Sequence, residues 1–159
     1  MKPIRKRVIP VLLLHKGGLY KTRKFGKPVY VGDPINAVRI FNEKEVDELV
    51  LLDIDASKEK RGPNYDKISD IVSEAFMPVA YGGGITSLKH AEELFFNGIE
   101  KVVLNTVLFT SPNLITEIAE RYGSQSVIAS IDIKKNLFGK IKVYQHAISS
   151  NNSKDMVTL

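Results

Sequence analysis

Short apolar runs rich in β-branched residues alternate along this chain with stretches in which apolar positions recur every three or four residues. That alternation predicts βα units and a parallel sheet covered by helices. The runs place strands at about 7–14, 48–54, 78–82, 101–105 and 126–132. Between them, Asp33-Pro34 and Ser111-Pro112 each supply an N-cap followed by a proline in the first turn. Asn64 and Ser87 are further caps, and Gly98 and Gly123 stand where a glycine ends a helix. One helical face carries Tyr65, Ile68, Ile71, Val72, Ala75 and Phe76, another Leu114, Ile115, Ile118 and Ala119, and both read as core. After the fifth run, Lys134 to Lys140 predicts a turn and Ile141 to His146 the returning strand of a hairpin. Residues 147–159 are polar and aperiodic and are expected to be loose.

Parallel α/β architectures bind ligands at the carboxyl ends of their strands, so polar groups there carry weight. Gly82-Gly83-Gly84 ends the third run and Asn105-Thr106 the fourth. Glycines at positive φ bring N–H groups close to a ligand, and Asn and Thr add amide and hydroxyl donors, so the two ends together suit one phosphate. Asp53 and Asp55 at the second end and Asp132 at the fifth are candidates for acid/base work or for holding a sugar hydroxyl. Capping and salt bridging compete for each of them, because strand-to-helix turns also favour Asp. Lys21, after the first run, is positioned to reach over the site from a loop, or to be solvated there. His15, His90 and His146 are too scattered for a metal set, and no metal or cofactor is implied.

Composition narrows the classes. With 159 residues, 43% of them hydrophobic and 26% charged, the chain reads as a single globular domain spanning 1–159. It has no Cys, which excludes disulfides and thiol chemistry. No apolar run reaches the roughly 20 residues of a membrane span, and the basic start leads into a run shorter than an export signal, so a cytoplasmic protein is the expectation. A net charge of +5 is spread along the chain, which fits a phosphorylated small molecule better than nucleic acid.

Together the motifs resemble a family, the cyclase subunit of imidazole-glycerol-phosphate synthase. The resemblance runs in order through Lys6-Arg7-Val8-Ile9-Pro10, Gly32-Asp33-Pro34, Asp47 to Ile54, Gly82-Gly83-Gly84-Ile85, Lys101 to Thr106, Asn113 to Thr116 and Tyr122 to Val127. It implies a (βα)8 barrel of the TIM type, fed with ammonia by a glutaminase (amidotransferase) partner in a heterodimer, that forms an imidazole in histidine biosynthesis. By the same resemblance Gly83, Gly84, Asn105 and Thr106 hold one phosphate of the substrate. Asp132 is the acid/base residue, Lys21 the loop lysine, and Arg7, Glu48 and Lys101 ring the amino-terminal mouth where ammonia enters. Ion pairing that stabilises the barrel bottom is the competing role for those three.

Two departures qualify the expectation. The family's first catalytic aspartate falls at Leu13, and a leucine moves no proton. The run Val11 to Gly18 instead resembles a paralogous branch tied to surface-polysaccharide biosynthesis and the placing of an acetamidino group on a sugar. The second departure is length, since a (βα)8 barrel takes roughly 250 residues. An incomplete barrel of about five parallel strands is therefore expected, a truncated member inactive alone, with an open edge and an apolar face that favour self-association. A homologue that only docks the glutaminase is the alternative.

Overall fold

A computed structural model describes residues 6–23, 26–135 and 141–143. Five strands form a parallel sheet, β1 (Val11–His15), β4 (Leu49–Asp53), β5 (Val79–Gly82), β6 (Lys101–Leu104) and β7 (Val127–Ala129). They lie side by side in chain order, joined through α1 (Pro34–Glu43), α2 (Tyr65–Ser73), α3 (Leu88–Phe96) and the pair α4 (Val107–Thr110) and α5 (Asn113–Tyr122). Right-handed crossovers between strands in unbroken order put every helix on one face. That is the winding of a barrel, and a doubly wound sheet would reverse its order part-way.

Register separates the two faces. Leu51, Tyr81 and Val102 are paired across β4, β5 and β6, are all buried, and pack with Ile68 and Ile71 of α2 and Ile118 of α5. The opposite face carries two rows, Val11–Val50–Ala80–Lys101 and Leu13–Leu52–Gly82–Val103–Ile128. No helix among the described residues covers it, and Val11 is 55% exposed. This is the face a closed barrel turns inward.

Caps and stops behave as their chemistry dictates in most places. Asp33 accepts from the amides of Ile35 and Asn36, Asn64 from Lys67 and Ser87 from His90. Gly98 and Gly123 end their helices at φ of +87° and +88°. Ser111 makes no side-chain cap; Pro112 already has helical angles, and the Ser111 carbonyl accepts from the Leu114 amide instead. Phe76, expected in the core, lies beyond the last turn of α2 and is 89% exposed.

Three strand expectations change. The first strand is shorter than 7–14: Pro10 has no amide to donate, although its carbonyl accepts from Val50, and Val8 accepts from the Asp47 amide and donates to the Asp47 carboxylate. The fifth covers only Val127–Ala129. The segment after β1 is no loop but a hairpin, β2 (Gly18–Lys21) and β3 (Val29–Gly32), which extends the sheet beyond β1. Beyond β7, β8 (Ile133–Lys135) and β9 (Ile141–Val143) pair antiparallel, as the expected hairpin requires, with Lys134 and Lys135 in its strand and not its turn. Residues 136–140, His146 and the 147–159 tail lie outside the described residues.

Candidate functional site

Three polar groupings sit around the sheet. The first joins the ends of β6 and β7. Asn105 follows β6 and its amide donates to Asp132 Oδ2 at 3.3 Å, with both side chains half-buried. Asn105 follows buried Leu104, whose side packs on the helices, so alternation turns Asn105 to the inner face. Thr106 stands at the start of α4 with its carbonyl accepting from Thr110.

Gly82, Gly83 and Gly84 are demanded by packing. A Cβ on Gly82 would stand 2.9 Å from Leu52 Cδ2 and from Val103 Cβ. Gly83 has φ +125° and would meet the Asp53 carbonyl oxygen at 2.5 Å; Gly84 has φ +70° and would meet that of Arg61 at 2.5 Å. The triple glycine therefore lets the segment from Asp53 to Gly62 lie against it, backbone on backbone.

Asp53 and Asp55 prove to be turn anchors. Asp53 Oδ1 accepts from the amides of Asp55 and Ala56 at 3.0 and 3.1 Å, and its Oδ2 pairs with Arg61 Nη2 at 2.9 Å. Asp55 is 7% exposed and accepts from His15 Nδ1 at 2.7 Å and from the Lys16 amide at 2.9 Å. Burial pushes its carboxyl up, but the Lys16 amide and the His15 ring outweigh that and hold it below the usual carboxylate range. An ionised carboxylate only accepts, so His15 carries its proton on Nδ1. What the pair secures is the two-residue turn Lys16-Gly17 between β1 and β2, where Lys16 is forced to φ +48°. Sequence reading passed over His15 in this role. The X-Gly pair between Leu14-His15 and Leu19-Tyr20 was the available signal.

Lys21 is exposed on β2, which runs antiparallel to β1 and so leads away from the carboxyl ends; the structure does not bring it to Asp132. At the amino-terminal end of the inner face, Lys101 Nζ donates to Glu48 Oε1. Glu48 is 4% exposed, one of two buried charged residues among those described, and Lys101 ends the Val11–Val50–Ala80 row. Arg7 is exposed and, among the described residues, pairs with neither. Removing Lys101 leaves a buried carboxylate without its cation, so Lys101→Met is expected to cost about 2–3 kcal/mol in chemical denaturation. Adding Glu48→Leu should recover most of it. A double variant no more stable than the single one would remove the pair from the account.

The family described as histidine biosynthesis protein matches residues 7–159. The chain belongs to the histidine biosynthesis protein family. Its relatives carry one kind of name. A Pseudomonas aeruginosa protein provisionally named imidazole glycerol phosphate synthase subunit hisF2 is 55% identical over 153 residues, 96% of this chain and 59% of its own. Imidazole glycerol phosphate synthase subunit HisF of Pelodictyon phaeoclathratiforme is 42% identical over 132 residues, 83% of this chain and 53% of its own. The chain thus spans a little over half the length of these relatives. The resemblance to the cyclase subunit drawn from the motifs is upheld, and with it the α/β sheet of βα units as part of a barrel. No helix among the described residues is long and apolar enough to cross a membrane.

Proposed function

We propose that this chain forms the amino-terminal part, as one domain, of an ammonia-using synthase subunit that takes ammonia from a glutaminase partner and adds it to a phosphorylated acceptor. The observation that carries this reading is the pairing of Asn105 with Asp132 on the inner face at the carboxyl ends, opposite the Glu48–Lys101 pair at the other end of that face. Between them lie the apolar rows through Val11 and Leu13. Ammonia is a neutral nucleophile only while unprotonated, and an apolar lining favours that form. Arg7, Glu48 and Lys101 would meet the partner. Gly83, Gly84, Asn105 and Thr106 would hold a phosphate, with the Asn105 amide also orienting Asp132. Asp132 would then remove the proton released as nitrogen bonds to carbon.

Leu13 favours amidination over ring closure. It stands in the inner row beside Leu52, and no carboxylate can act from there. Building an amidine needs a nucleophilic nitrogen and an activated carbonyl but no cyclisation, so one acid/base residue suffices. An acetamidino sugar in surface-polysaccharide synthesis is the product class this fits, in the cytoplasm where glutamine is available.

In the full-length protein, Asn105→Ala is expected to weaken a phosphorylated acceptor about tenfold by calorimetry, the loss of one charge-assisted hydrogen bond. Unchanged affinity would remove the strand-end phosphate site. Stimulation of the glutaminase with no product from any phosphorylated acceptor would make the chain a docking partner instead.

A further inference from the structure

The helix-covered side of the sheet holds a second polar recess. It opens between the Lys16-Gly17 turn, the end of β4 and the start of α2, and Lys16, Asp53, Arg61, Asn64, Lys67 and Tyr81 line it. Tyr81 shares its face with buried Leu51 and Val102, whereas Asn105 is on the inner face, so this recess is separate from the strand-end site.

Its carboxylates are already occupied. Asp53 is held by Arg61 and two amides, and nearby Asp55 by His15 and the Lys16 amide. Donors are left over. Asn64, which lines the recess, caps the Lys67 amide, and the adjoining first-turn amides of Tyr65 and Asp66 have no acceptor within their own helix. Tyr81 is 1% exposed, and its hydroxyl has no hydrogen-bond partner among the described residues. Burial above all, with Asp53 nearby, holds that phenol protonated and thus a donor throughout the working pH range. Lys16 and Lys67 pair with no carboxylate among the described residues. A bridging water would satisfy the hydroxyl alone, leaving both ammonium groups and the amides of α2 without a counter-charge.

We propose that this recess binds a small oxyanion, a phosphate or carboxylate group, between the Tyr81 hydroxyl, the first turn of α2 and the Lys67 ammonium, with Lys16 across from it. An anion there ties the β1–β2 turn to the start of α2. The site is independent of the acceptor chemistry proposed above.

Amide shifts of the full-length protein, titrated with inorganic phosphate and separately with acetate, test this. Saturable shifts of the Tyr65 and Asp66 amides with either ion are expected, phosphate alone pointing to a phosphate group and both to a carboxylate as well. Tyr81→Phe and Lys67→Gln should each weaken them about tenfold while leaving shifts at Asn105 and Thr106 unchanged. No saturable shift at Tyr65 and Asp66, or equal affinity in both variants, would overturn the proposal and leave Tyr81 to a buried water.

Discussion

Gly84→Ala is expected to destabilise this fold by more than about 4 kcal/mol, in the range reserved for backbone strain and overpacking together. The residue has φ +70°, and the added methyl would stand 2.5 Å from the Arg61 carbonyl oxygen and 3.0 Å from Ala56 Cβ. Neither obstacle is the end of a flexible side chain, so the segment from Asp53 to Gly62 must move. Moving it pulls Arg61 from Asp53 and breaks the turn that Asp53 caps with the amides of Asp55 and Ala56. Gly17→Ala is the control. It shares the positive φ, at +78°, but has nothing within 4 Å of the new methyl, so about 1 kcal/mol is expected. Denaturation midpoints at constant slope give both values. Equal losses at the two positions would mean that conformation alone, and not close backbone packing, dictates the triple glycine.

Period and turn chemistry make the parallel core legible in the sequence. Val79, Ala80 and Tyr81 read as a strand from their continuous apolar run, and all three are buried in the middle of the sheet between β4 and β6, while Asp33, Asn64 and Ser87 cap as their side-chain oxygens demand. The β2–β3 hairpin is not legible in the pattern, because Val29, Tyr30 and Val31 form a run without alternation and all three are exposed. Without that hairpin, Lys21 looked like a free loop residue. At the site, residue type alone could not separate carboxylates that anchor turns from one that faces the inner surface. Asp53 ends β4, Asp55 stands two residues on and Asp132 three residues beyond β7, and among the described residues hydrogen bonding distinguishes them: the first two are filled by amides, Arg61 and His15, while Asp132 meets one side-chain amide at 3.3 Å. Glu48 and Lys101 are 53 positions apart, and what joins them is the register of β4 and β6 across β5.

The other large effect expected is on chemistry. With Leu13 in the inner row, Asp132 is, among the described residues, the carboxylate beyond these strands whose hydrogen bonding is not already filled by amides or a cation. General acid/base catalysis contributes about 10²- to 10⁴-fold, and in the proposed reaction one residue carries all of it. Asp132→Asn keeps the side chain's shape and its contact with Asn105, so folding should be unaffected while proton transfer is lost. Ammonia-dependent product formation from a phosphorylated acceptor, measured in the full-length protein with saturating ammonium and no glutaminase, bypasses the partner and reads this step alone. The account predicts a fall of about 10²- to 10⁴-fold with an unchanged denaturation midpoint; a rate equal to that of the unsubstituted protein would contradict it.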